Sequence, residues 1–262
     1  MQRIGVSVDD LRLPVRAGLQ QAARMGFRAV EIGAVRGDLA PAQLSASGRQ
    51  EVGRLLRHLG MDAGALAADM GGPGLADPAA VDDRVHQIRM ILELAADVRL
   101  PMVATETGPL LEPHTGAVSP VAAGALAYLA EHADRVGTVL AVQAGADPPE
   151  HLDRALRQIA CPSLRVCLDP ALLAQSGHDP VSAVGSLAES IALAHLGDAT
   201  MGGPDRPGRE VPLGRGNLDL PGYLAELAAA AYAGPIILRR REAQRPFEEL
   251  AAARETLRPL IH

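Results

Sequence analysis

The feature that most constrains this chain is an alternation repeated eight times: a short apolar run, then a longer stretch with helical periodicity. The apolar runs lie at 3–8, 29–34, 62–68, 102–106, 139–144, 164–169, 191–196 and 235–239. Helical spacing of apolar residues recurs between most of them, at 15–25, 42–59, 81–96, 118–136 and 151–159. A strand followed by a helix at every step requires parallel strands, because parallel neighbours can only be joined by a crossover. Eight such units in 262 residues fit one closed (β/α)8 barrel spanning 1–262 as a single domain. The rival is an open doubly wound sheet, which carries a glycine-rich phosphate turn after its first strand. Here that turn reads Ser7-Val8-Asp9-Asp10-Leu11, without glycine.

Punctuation agrees with this reading. Gly26 and Gly60 follow amphipathic stretches, where a left-handed helix end needs glycine. Asp77-Pro78 and Ser119-Pro120 look like an N-cap with proline in the first turn. The irregular segment 199–217 is rich in Gly, Pro and Arg and follows the seventh strand, on the face where barrels of this kind place their sites.

Composition narrows the function. Aromatic residues make up only 2% of the chain, so the core must mesh Ala, Leu, Val and Ile. A net charge of −6 argues against a broad nucleic-acid surface. No apolar run is long enough for a bilayer, and no signal-like core precedes the first strand, so the expectation is a cytoplasmic protein with no membrane partner. Cys161 and Cys167 are too few for a four-thiolate zinc site, and Cys167 reads as a small buried hydrophobe inside a strand. No nucleophile motif, P-loop or dinucleotide fingerprint is present.

Several segments, taken together, resemble the xylose isomerase-like barrels, the sugar phosphate isomerase and epimerase group. They are Ala23-Arg24-Met25-Gly26-Phe27-Arg28-Ala29-Val30-Glu31-Ile32, Leu168-Asp169-Pro170-Ala171-Leu172, His195-Leu196-Gly197-Asp198-Ala199, Pro212-Leu213-Gly214-Arg215-Gly216-Asn217 and Gly234-Pro235-Ile236-Ile237-Leu238. They occur in family order across nearly the whole chain. The resemblance implies a divalent metal (Mn, Mg, Co or Zn) held by Glu, Asp, His and Glu from strands five to eight, which steadies an enediolate while carboxylates move protons. Asp169 and His195 match two of those ligand positions, but Gln143 and Arg239 stand at the two glutamate positions. Leu172 and Met201 replace a His and an Arg that the family places against its substrate. Relatives often form dimers or tetramers, which leaves room for a homo-oligomer, although no exposed apolar stripe marks an interface.

These substitutions alter the charge of the site. With a neutral His, the family set carries a net charge of −3, whereas in the present set Asp169 and Arg239 cancel to zero. A dication roughly 5 Å from a guanidinium meets a repulsion of about 7 kcal/mol at an effective dielectric near 20. The expectation is therefore that a metal is disfavoured, with Arg239 pairing with Asp169 in its place. Proton transfer then needs new groups, and Glu106 and Glu31 are the candidates, each with a plain alternative as the partner of an arginine. Arg206, Arg209 and Arg215 could clamp an anion over the mouth, or, with Asp205 and Glu210, belong to a solvated loop of mixed charge. The expected ligand is a small polar, anionic, sugar-type metabolite bound by Gln143, Arg239, Arg209 and Arg215. The alternatives are a metal-free binding or regulatory protein and, least favoured by the acidic charge, an endonuclease-like repair barrel.

Overall fold

The computed structural model describes residues 3–61, 63–112, 115–145, 147–203 and 206–260. Asp62, at the expected start of the third strand, and Asp205, in the long loop, lie outside the described residues. The barrel strands are β1 (Ile4–Ser7), β2 (Ala29–Gly33), β3 (Ala63–Ala67), β4 (Met102–Thr105), β5 (Val139–Ala144), β6 (Leu164–Leu168), β7 (Ile191–Leu196) and β8 (Ile236–Leu238). They close in the order β1-β8-β7-β6-β5-β4-β3-β2, every pair parallel. The chain is a single (β/α)8 barrel.

The helices are α1 (Val15–Arg24), α2 (Ala46–His58), α3 (Val81–Val98), α4 (Pro120–Val136), α5 (Pro149–Ile159), α6 (Pro170–Gln175), α7 (Pro180–Leu187), α8 (Leu220–Ala229) and α9 (Pro246–Leu257). Each lays an apolar stripe on the sheet. In α3 the buried set Ile88, Ile91, Leu92, Ala95 and Val98 recurs every three to four residues, which is one face of a helix. Gly26 and Gly60 do take positive φ, at 82° and 67°, just past α1 and α2. Asp77-Pro78 does not start a helix. Asp77 accepts from the Ala79 amide in a turn, and α3 begins three residues later, at Val81. The same Asx chemistry serves turns and caps, so the dipeptide alone does not separate them. Among the described residues, no helix is long and apolar enough to cross a membrane.

Inside the barrel the strands turn small residues toward the axis. Ala29, Ala63, Ala65, Ala104, Ala141 and Cys167 pack there with Met102, Leu193 and Ile237. Gly5 belongs to this economy of space: a Cβ on it would lie 2.5 Å from the Cδ1 of Ile237. Glycine lets the larger residue fill the floor. Each strand then continues its inward alternation into the C-terminal mouth, which positions the site.

Candidate functional site

Following the period of two upward from the alanine-lined interior, Ala29 leads to Glu31, Ala141 to Gln143, Cys167 to Asp169, Leu193 to His195 and Ile237 to Arg239. The mouth therefore collects residues from five strands, as the alternation of side chains predicts.

The deepest layer is an ion-pair chain built on His195, which is wholly buried. Its Nε2 donates to Glu31 Oε2 at 2.7 Å, and its Nδ1 donates to Asp169 Oδ2 at 3.2 Å. The other oxygen of Asp169 accepts from the amides of Ala171 and Leu172 at 3.1 Å each, capping α6. Asp169-Pro170 is thus an N-cap followed by proline, and it fixes the carboxylate before any ligand arrives. Arg239 Nη1 lies 3.0 Å from Glu31 Oε1, and its Nη2 lies 3.5 Å from Asp69 Oδ2. Gln143 completes the layer. With its amide oriented to suit its neighbours, the oxygen accepts from Arg239 Nη1 (3.2 Å) and His195 Nδ1 (3.3 Å), while the nitrogen donates to Glu106 Oε1 (3.2 Å).

The pairing expected between Arg239 and Asp169 is not found. Arg239 takes Glu31 and Asp69, because the His195 ring lies between Asp169 and Glu31 and is hydrogen-bonded to both. The surroundings of the imidazole also favour its charged form. Burial works against its charge, but the Glu31 carboxylate and the Asp169 hydrogen bond outweigh it and raise the pKa well above the usual value. Burial raises the Cys167 pKa as well, so its sulfur, 3.4 Å from Nε2, is a thiol, and the imidazolium is stabilised by the two carboxylates. Burial would raise Glu31, yet Arg239 and His195 overcome it and hold that carboxyl at about 2. Asp169 is likewise held well below the ordinary range, the His195 hydrogen bond overcoming its burial. Two carboxylates and two cations leave this inner layer neutral.

Such a layer does not fit a divalent cation. Both nitrogens of the His195 imidazole face carboxylate oxygens, at 2.7 and 3.2 Å, and a guanidinium contacts Glu31, an inward carboxylate. Among the described residues, no group of three or more His, Cys, Asp or Glu is arranged to hold a metal ion.

Above it lies a cleft of about 440 Å3, walled by Asp9, Asp69, Glu106, Arg36, Arg239 and Arg241 among others. Glu106 Oε1 pairs with Arg241 Nη1 at 2.6 Å. Asp69 lies 3.9 Å from Arg241 Nη2, and its Oδ1 accepts from the Glu106 amide at 3.2 Å. Burial raises the Asp69 pKa against the opposing pull of Arg239. Beyond Arg239 and Arg241 lies a smaller hollow of about 120 Å3, whose walls include Asp169 and Leu172.

The remaining sequence candidates fall differently. Glu31 is 1% exposed and does not line the cleft. Arg209 and Arg215 are exposed and line neither hollow. The backbone of Arg209 is tied to Thr200 in the small hairpin that pairs Asp198–Ala199 with Glu210–Val211. Arg215 follows Gly214, whose amide, with that of Gly216, binds the Asp198 carboxylate and holds the loop on the rim. Asp69 and Arg36 were not singled out from the sequence. For Asp69 the signal was present, since Ala63, Ala65 and Ala67 lead to it in steps of two.

Known structures with the same architecture include a xylose isomerase domain protein from Planctomyces limnophilus, 23% identical, with a TM-score of 0.84 over 99% of this chain and 97% of that one. A D-tagatose 3-epimerase-like protein is 19% identical, with a TM-score of 0.78 over 98% of each chain. The 3-keto-D-glucoside 4-epimerase from E. coli is 17% identical, with a TM-score of 0.76 over 99% of this chain and 100% of that one. At these identities the likeness is one of fold. No curated protein matches the chain. Residues 19–260 match the model of the xylose isomerase-like TIM barrel, and the chain belongs to that family, whose fold it shares with sugar isomerases and epimerases.

Proposed function

We propose that the chain is a divergent isomerase- or epimerase-type barrel that binds a small polar, anionic, sugar-type metabolite in the mouth cleft, with an ion-pair floor in place of a metal. The carrying observation is the division of labour in the mouth: a neutral, buried layer beneath a cleft whose walls hold two carboxylates, Asp69 and Glu106, on either side of Arg241. Glu31, Asp169 and His195 make a rigid floor. Arg36 has no ion pair among the described residues, and it and the half-exposed Arg241 meet the negative group of the ligand.

In this reading one wall carboxylate takes the proton from a carbon next to a carbonyl, and the electron pair moves to the carbonyl oxygen as an enediolate. The guanidiniums steady that oxygen, and the second carboxyl returns a proton either to the opposite face of the same carbon, or to the former carbonyl carbon while the neighbouring hydroxyl proton passes to the former carbonyl oxygen. Asp69, with its raised pKa, is the acid of the pair. A second reading, a metal-free binding protein, is favoured by one contact: Arg241 already neutralises Glu106 at 2.6 Å, which weakens it as a base.

A thermal-shift screen of sugar phosphates and sugar acids tests the binding. A ligand that stabilises wild type but not Arg241→Ala supports it, and equal stabilisation of both overturns the cleft assignment. The stabilising ligand, incubated in D2O with chelator present, then separates the two readings. Exchange of a C–H for deuterium that Asp69→Asn abolishes supports the enzyme, whereas binding without exchange leaves the binding protein. Exchange that needs added metal refutes the metal-free floor.

A further inference from the structure

A second concavity lies far from the mouth in character. It is a groove of about 430 Å3 between α2 and the end of α3, lined by Arg49, Arg54, Arg57, Arg99, Gly53 and Asp97 among others. Its origin is in the sequence of α2. Arg49, Gly53 and Arg57 recur every four residues and so share one helix face. A helix face turned toward its neighbour is usually an apolar stripe. Here Gly53 lets the backbones approach, since a Cβ on it would lie 3.1 Å from the Val98 carbonyl oxygen, and the guanidinium of Arg57 lies back toward the same point, 3.4 Å from that Cβ position.

The charges are unbalanced. Arg49 is neutralised by Asp97 at 2.7 Å and braced by the Pro41 carbonyl at 3.1 Å, which uses the groove's one carboxylate. The nearby Glu51 is engaged by Arg16. Arg54, Arg57 and Arg99 have no carboxylate partner among the described residues. Four arginines against one aspartate make this groove strongly positive in a chain whose net charge is −6. Helix dipoles account for part of the pattern, because Arg57 sits in the last turn of α2 and Arg99 just past α3. They do not account for Arg54, which is earlier in its helix, or for the hollow that the three surround. Arg99 also occupies a left-handed position (φ 65°), where glycine is the usual residue.

We propose that this groove binds a phosphorylated small molecule carrying at least two negative charges, gripped by Arg54, Arg57 and Arg99, with Arg49 as its fixed wall. Guanidinium groups remain charged at every physiological pH and match phosphate oxygens in pairs. Arg54, Arg57 and Arg99 are exposed but gathered around one hollow of about 430 Å3. That arrangement suits a small ligand better than an extended polyanion, and the acidic remainder of the chain repels an anionic bilayer.

Calorimetric titration with inorganic pyrophosphate at low ionic strength tests the site. One site is expected, weakened about tenfold by Arg54→Ala or Arg57→Ala and further weakened by added salt. Arg99→Gly is the informative variant. Glycine suits the left-handed position, so the fold is expected to hold or gain stability while binding falls by a similar factor. Arg241→Ala, at the mouth, is expected to leave pyrophosphate binding unchanged. The proposal is overturned if pyrophosphate fails to bind, if Arg57→Ala and Arg99→Gly bind it as wild type does, or if Arg241→Ala removes the binding. Sedimentation with phosphatidic acid vesicles, but not with phosphatidylcholine vesicles, in the absence of pyrophosphate binding would assign the groove to a headgroup and also overturn it.

Discussion

The two layers of the barrel mouth use the same residue types to opposite ends. In the lower layer Glu31, Asp169 and His195 are buried, Arg239 is nearly so, and they pair with one another, while Glu31 Oε1 and Arg239 Nε have no hydrogen-bond partner among the described residues. In the upper layer Asp69, Glu106 and Arg241 are partly exposed, at 22%, 29% and 40%, and their contacts range from 2.6 to 3.9 Å. Buried ions without water are costly unless paired, so removing one partner from the lower layer carries a large penalty. Solvent screens the upper one, which leaves its groups free to exchange partners with a ligand.

The strongest way to break this comparison is Arg239→Ala. Removing one partner from a buried network costs about 3–5 kcal/mol, read as a drop in denaturant midpoint. The pair Glu31→Gln and Arg239→Met should be less destabilised than the two single changes added, because the double variant leaves no orphaned charge at that contact. Additive losses would mean that Arg239 contributes packing alone.

Acid sensitivity comes next. The Glu31 pKa is lowered from 4.5 to about 2 in the folded chain, so its contribution is complete above the unfolded value and is lost as pH falls toward 2. That window is worth on the order of 3 kcal/mol, and Asp169 acts in the same direction. Glu31→Gln should flatten the acid limb of the stability curve. An unchanged slope would show that Glu31 is not held ionised. His195 has the opposite sign. Its pKa is raised, so its contribution is complete below the usual imidazole range and is lost only at higher pH. Nitrogen chemical shifts should therefore report an imidazolium at pH 8, and a neutral ring there would undo the charge balance of the lower layer.

The smallest effect on stability should come from Arg241→Ala, under about 1 kcal/mol because the pair is exposed. A loss as large as that of Arg239→Ala would erase the distinction between the layers.

Much of this was legible in the residues. Eight β-then-α units predicted the closed barrel, and period-two alternation placed Gln143, Asp169, His195 and Arg239 at one mouth, because a strand sends side chains to one face by local geometry alone. The alternation also sent Arg240 outward, where it pairs with Glu249 on α9 at 2.7 Å. Asp69 was missed because the expected strand stopped at residue 68, one short of the next inward position.

The sequence by itself determined the barrel and the inward residues, Gln143 and Arg239 among them. Only the tertiary structure decided which charges pair. Arg239 reaches Glu31 from strand two, some two hundred residues earlier in the chain, while the ring of His195 bridges Glu31 and Asp169. Pairing across a barrel depends on closure, on strand stagger and on side-chain reach through a shared buried space, and none of these is encoded in any one segment.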